Sequence, residues 1–363
     1  MKLFQNIEVY PAYLPRLREL YHGCKDFVGM RRSFLQDCFG VQYHLKPILE
    51  EAPDAFLSIG HDKVSQHRWA KEQGLKAGLP LADILLAQIE ANRSEIFYNL
   101  DPMRYGGEFV RRLPGCVRVK LAWRAAPSPG IDLRGYNNIL CNFPQILDGY
   151  RRQGLRASHF FPAHDATLEG HAANDDRPID LLFVGSYSRH HMRRAALLES
   201  VASCHRGYNV QFALDVSRFT RLAESPMGVL LPLEKYRRPR AIRAIWRPPV
   251  FGMQLVKRLS QAKIVFNASI DMAGADRGNL RCWEAMGARA ALLGETGHYP
   301  DGMEAGETFL SYSGPEDLLS RIEEALQDQH RTRAIAQRGF DMIRTRYSKD
   351  VQWRRFQEIV ADV

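Results

Sequence analysis

Two stretches of this 363-residue chain place glycines, hydroxyls and arginines directly after apolar runs, a combination suited to holding an anion. The first is Asp271-Met272-Ala273-Gly274-Ala275-Asp276-Arg277-Gly278-Asn279-Leu280-Arg281-Cys282-Trp283-Glu284-Ala285-Met286-Gly287. Its loop holds two glycines and ends in a short helix that Asn279 can cap. Free N–H groups at a helix N-terminus favour phosphate. Arg277 and Arg281 each add a charge-assisted hydrogen bond of roughly 1.5–3 kcal/mol when desolvated. Glu284, one turn inside the helix, is misplaced for phosphate but suits both hydroxyls of a ribose. The plainer alternative is a capped helix with solvated arginines and a surface glutamate.

The second stretch is Gly185-Ser186-Tyr187-Ser188-Arg189-His190-His191, again where an apolar run, Ile179 to Val184, opens into a helix. Gly185 permits close backbone approach, the serines supply hydroxyls, and Arg189 shares one helical face with Arg193 at a spacing of four. Arg193 and Arg194 read as a solvated basic face. Two such loops on neighbouring strand ends would cradle a diphosphate better than either alone.

Elsewhere the chemistry is thinner. His61, in Gly60-His61-Asp62, follows a strand-like run and can serve as a general base or a sugar ligand, or do neither. His164-Asp165 falls by position at an interdomain hinge and needs no function. The run Lys235 to Arg247 interleaves five arginines and Lys235 with Tyr236 and Trp246. It suits an anionic lipid surface or, more simply, solvent; no nucleic-acid-binding signature accompanies it, so no specific nucleic acid is expected.

Several motifs are missing from the sequence: G-x-x-x-x-G-K-[ST], G-x-G-x-x-G after a strand, G-x-S-x-G, H-E-x-x-H and Asp-x-Asp. A bound diphosphate is therefore expected to be neutralised by protein donors, with no metal and no cofactor. Six dispersed cysteines without zinc spacing read as reduced, packing thiols. A net charge of +9 favours anionic partners. The start of the chain lacks an apolar signal core, so a cytoplasmic location is expected, with peripheral contact at the inner membrane face through residues 235–247.

The elements that must position these residues follow an alternating pattern. Strands are expected at 55–59, 96–100, 117–121 and 138–141, with a helix at 82–91. After the polar stretch from His164 to Pro178 the pattern restarts: a strand at 179–184, a helix whose Met192, Ala195, Leu198 and Ala202 share one face, strands at 263–267 and 290–293, and a helix at 280–286. The last 50 residues read as helical, with one stripe through Leu318, Ile322 and Leu326. Another runs through Trp353, Phe356 and Val360 after a cap at Ser348. Such alternation implies two α/β domains with parallel sheets, and ligands outside the carboxyl ends of the strands.

The chain resembles bacterial glycosyltransferases of the GT-B architecture, most closely the CgeB-like spore-maturation group related to the retaining family 4. The matching stretches are Asp180–Ser186, Pro249–Met253, Ser260–Asn267, Gly278–Gly287 and Phe309–Leu318, with thinner similarity at Asn138–Pro144, His61, Gln66 and Trp69-Ala70. The resemblance implies two Rossmann-like domains across a cleft: an acceptor domain at 1–165, a linker at 166–178, a donor domain at 179–345, and a C-terminal helix at 346–363 packing back on the first. It further implies transfer from a nucleotide diphosphate sugar to a hydroxyl acceptor without metal. Gly185, Ser186, Arg189, Asn279, Arg281 and Glu284 then bind the donor, Glu284 on its ribose. Related retaining enzymes carry a second acid eight positions before that glutamate; here it is Asp276, with a shorter reach. Another departure is Gly287-Ala288-Arg289 where relatives have Gly-x-Pro. Catalysis would rest on Arg281, Asp276 and, for an inverting reaction, His61. A non-catalytic nucleotide-sugar binder on the same fold is the alternative.

Overall fold

The computed structural model describes residues 1–189, 191–204, 207–269 and 272–363, so His190 and Asp271 of the two anion-suited loops lie outside the described residues. The chain divides into two compact units, one of residues 1–163 with 349–363, the other of residues 164–348.

The first unit is built on a six-stranded sheet of β1 (Leu3–Asn6), β2 (Ala55–Ser58), β3 (Ile96–Asn99), β4 (Val119–Trp123), β5 (Asn138–Cys141) and β6 (Ala157–His159). The spatial order is β2-β1-β3-β4-β5-β6 and every pairing is parallel. The helix Lys349–Ala361 belongs to this unit because Phe356 enters its core, with ring centroids 5.2 Å from Tyr98 and 5.8 Å from Phe160.

The second unit holds β7 (Ile179–Ser186), β8 (Val210–Asp215), β9 (Trp246–Arg247), β10 (Ala262–Asn267), β11 (Ala291–Glu295) and β12 (Leu310–Tyr312). Their order is β12-β11-β10-β7-β8-β9, again parallel throughout. Helices cover both faces, so central strands read as continuous apolar runs such as Leu181-Leu182-Phe183 and Ile264-Val265-Phe266, all buried. Phe183 packs against Phe212 and Phe266, and Phe266 against Tyr312.

In each sheet the strand order reverses once, between β1 and β3 in the first and between β7 and β10 in the second. Connections leave in opposite directions there, opening a crevice beyond the strand ends where such folds bind ligands. These two switch points position everything that follows.

Three expectations need correction. Met192 is 79% exposed, and the helix Met192–Cys204 buries Ala195, Leu197, Leu198, Val201 and Ala202 instead. That helix starts after Arg189, so Arg189 and Arg193 do not share a helical face. The stripe on Lys349–Ala361 is centred on Gln352, Phe356 and Ile359, while Trp353 and Val360 lie at its margin. The stretch after His164 forms a 3-10 turn, Ala166–Leu168, and a short helix, Glu169–Ala172, with Leu168 and Ala172 buried.

Candidate functional site

At the switch point of the second unit, Gly185 and Ser186 close β7 and Asn267 closes β10. The apolar runs stop here because the chain must leave the sheet. Arg194, from the helix after β7, reaches back under this edge. Its guanidinium lies 5.1 Å from the Phe183 ring centre, and Nη2 comes within 2.5 Å of where a Cβ on Gly185 would sit. Only glycine leaves that space open. Arg194 is 9% exposed, and among the described residues its Nε has no hydrogen-bond partner and no carboxylate pairs with it. Burial, and secondarily the charge of Arg281, pushes its pKa down from 12.5 to about 10. An uncompensated buried cation at a ligand crevice is costly and points to an anion that completes it. The reading of Arg194 as a solvated face is therefore wrong: its neighbour Arg193 stays half exposed and pairs with Glu295, while Arg194 turns inward.

Arg281 approaches the same edge from the helix Leu280–Gly287, with Nη2 3.5 Å from the Val184 carbonyl. Its Nη1 lies 2.6 Å from Oε2 of Glu284, one turn on, and its Nε has no hydrogen-bond partner. Burial pushes the Glu284 carboxyl up from its ordinary value while Arg281 pulls it back. Arg281, Glu284, Gly185, Ser186 and Arg194 thus gather around one strand edge. Arg189 stands apart, exposed, with Nε 3.3 Å from the Tyr187 hydroxyl, which itself donates to Glu199 at 2.5 Å.

The loop entering that helix is held by side chains expected to contact ligand. Arg277 is buried, with Nη1 donating to the carbonyls of Gly274 at 2.8 Å and Asp276 at 3.1 Å and Nε 3.8 Å from Glu295, so it braces the loop and offers no phosphate contact. Glu295, buried at the end of β11, also pairs with Arg193 at 2.9 Å. Asn279 occupies the N-cap position without a side-chain cap; its amide exchanges two 3.1 Å hydrogen bonds with that of Asn267. No side chain thus caps the N–H groups of Leu280 and Arg281, which can meet a ligand, while the Cys282 N–H donates to the Asn279 carbonyl at 2.9 Å. Gly278 has φ +102° and lies against Pro300, which fixes the turn as glycine. Asp276 is buried, with Oδ1 3.6 Å from Nδ1 of exposed His298.

In the first unit the switch point is polar. Asn6, ending β1, donates to Asn99 at the end of β3 at 2.8 Å and accepts from the Gly60 N–H at 2.9 Å. His61 is largely enclosed beside them, its Nδ1 3.8 Å from Oδ2 of buried Asp101 and itself without a hydrogen-bond partner among the described residues. Burial and Arg104 lower the His61 pKa. Burial, then Glu8, raises Asp101 to about 6 against the opposing pull of Arg104. His164 and Asp165 are buried and structural: Asp165 caps the following 3-10 turn, and His164 packs on Phe340. Among the described residues no group of three or more His, Cys, Asp or Glu is gathered for a metal. Cys24, Cys38, Cys116, Cys141 and Cys282 are free thiols. Among the described residues no helix is long and apolar enough to cross a membrane.

Residues 193–358 match the family described as glycosyl transferase-like. The fold is the GT-B glycosyltransferase fold. Over 100% of both chains it superposes on HepE from Anabaena, in a complex with UDP and glucose, with a TM-score of 0.62 at 12% identity. A glycosyltransferase from Rickettsia africae gives 0.60 at 10% identity over 99% of this chain and 98% of the other. Sucrose-phosphate synthase from Thermosynechococcus elongatus gives 0.54 at 10% identity over 100% and 99%. No curated protein matches the sequence significantly.

Proposed function

We propose that this protein transfers a glycosyl group from a nucleotide diphosphate sugar to a hydroxyl acceptor. The observation that carries the reading is buried Arg194, uncompensated beside Arg281 at the end of β7. A departing diphosphate gains negative charge as the glycosyl bond breaks, and cations already fixed in a low-dielectric site stabilise that charge without reorganising. Open N–H groups of the helix Leu280–Gly287 add to them, and Glu284 accepts from the ribose hydroxyls. Fold kinship with HepE supports uridine diphosphate glucose as the first donor to test.

Reaction without metal and with retention is the finer reading, supported by this pair of arginines: the departing diphosphate takes the acceptor proton on the face it leaves, and no protein base is needed. In an inverting reaction His61 takes that proton. A hydroxyl acceptor carried at a membrane fits the basic run 235–247, which supports peripheral attachment at a cytoplasmic membrane face. A second reading, a nucleotide-sugar binder without turnover, is favoured by Asp276, whose short side chain is buried toward His298. Product formation from radiolabelled donor, with and without a hydroxyl acceptor, separates the two. Saturable binding with no transfer or hydrolysis across donors would overturn the enzymatic reading. For an enzyme, Arg281→Ala loses roughly 2–4 kcal/mol of leaving-group stabilisation.

A further inference from the structure

Among the described residues, five of the thirteen exposed large apolar side chains fall within one short span: Phe219, Leu222, Met227, Leu230 and Leu231. Met227 is 71% exposed and Leu230 88%. Clustered exposure of this kind marks a surface that meets something apolar. We infer that residues 219–231 form the apolar inserting edge of a membrane-docking surface that takes an anionic lipid bilayer. This rests on, and deepens, the membrane contact proposed for residues 235–247.

The edge is built from the inside. The helix Arg218–Ala223 is capped by Ser217, whose Oγ accepts from the Thr220 N–H at 3.0 Å. The following 3-10 turn, Met227–Leu230, is pinned by Arg237, which donates to the carbonyls of Ala223 and Gly228, both at 3.1 Å. Arg238 is buried, paired with both oxygens of Glu224 at 2.8 and 2.6 Å and stacked 5.0 Å over Trp246. With Arg237 and Arg238 filling the inner side, the apolar side chains are turned to solvent. Part of the basic run thus supports the edge instead of meeting lipid.

The charges that remain outside have the sign the occupant requires. Arg218, Arg221, Arg240, Arg243 and Arg247 are exposed. Residues 216–247 contain eight basic residues against two acidic, a net of +6 within a chain of +9. One of the two acids, Glu224, is consumed by Arg238. An apolar edge rimmed by arginine is the composition of a segment lying in the interface of an anionic membrane.

The test is sedimentation of the full chain with vesicles of phosphatidylglycerol or of phosphatidylcholine. Binding to the anionic vesicles and not to the neutral ones is expected, weakening with salt. Met227→Ser with Leu230→Ser, both on the open surface, should lower the anionic-vesicle affinity by about tenfold or more. Arg240→Gln with Arg243→Gln should lower it by about fivefold per arginine. If the parent binds and the arginine variant alone loses affinity, the inserting edge is wrong while contact through 235–247 stands. If the parent ignores anionic vesicles, both are wrong. A dimer that dissociates on Met227→Ser with Leu230→Ser, without vesicle binding, would show a second copy as the occupant and overturn the inference.

Discussion

Replacing Arg194 with methionine should move stability and function in opposite directions. The side chain carries a charge whose pKa falls from 12.5 to about 10 on folding, a penalty of about 3 kcal/mol at neutral pH. The sign follows from linkage: a base with a depressed pKa destabilises the fold wherever it stays charged, which is everywhere below about 10. Stacking on Phe183 returns about 0.5–2 kcal/mol. Arg194→Met, which keeps the packing volume, should therefore stabilise the free protein by roughly 1–2 kcal/mol, a rise of several degrees in Tm. Uridine diphosphate should no longer raise Tm, and turnover should fall by about 30- to 1000-fold as 2–4 kcal/mol of leaving-group stabilisation is lost. Arg193→Met is the control. It strips a partner from buried Glu295 and should lower Tm. An Arg194→Met protein that is less stable when free, yet still binds the nucleotide and turns over normally, would refute the assignment of Arg194 as an anion ligand.

Gly185→Ala should lower stability by about 1 kcal/mol, since the new methyl meets the movable end of Arg194 first and crowds the Phe183 ring, and should weaken nucleotide affinity in titration calorimetry by displacing that guanidinium. Donor binding should fall in acid at a pH above the ordinary carboxylate range, because burial raises Glu284 and only its ionised form accepts from two hydroxyls; Glu284→Gln should remove that acid limb. Asp101 is raised from 3.8 to about 6, so its contribution to stability is full below pH 4 and lost as pH climbs through 6. Asp101→Asn should accordingly raise Tm at pH 8 by the equivalent of up to about 3 kcal/mol, less the lost contact with Arg104, and leave it unchanged at pH 4.

The alternation of apolar runs and helical spacing was enough to locate β2, β3, β5, β7 and β10, because each is a short apolar run bounded by a turn residue. β1 escaped because Gln5 and Asn6 are buried yet polar, satisfied by partners distant in sequence: Gln5 donates to the Tyr43 carbonyl and Asn6 to Asn99. β6 and β12, three residues each, carry too little pattern. At the site, glycines after strands were legible from composition, whereas the pairing of Arg281 with Glu284 at the strand edge was not read from the sequence. Which arginine turns inward was not legible. Arg193 and Arg194 are adjacent and identical, and only the register of the helix Met192–Cys204 sends one to Glu295 and the other under Gly185. Arg277 looked as available as Arg281 until the loop carbonyls it holds were fixed in space.

A crystal structure with bound uridine diphosphate tests the central claim most directly. Its phosphate oxygens should lie within about 3 Å of Arg194 and Arg281, over Gly185 and the first N–H groups of the helix Leu280–Gly287, with the ribose hydroxyls on Glu284. Phosphates bound elsewhere, or held by a metal ion with Arg194 still unpaired, would contradict it.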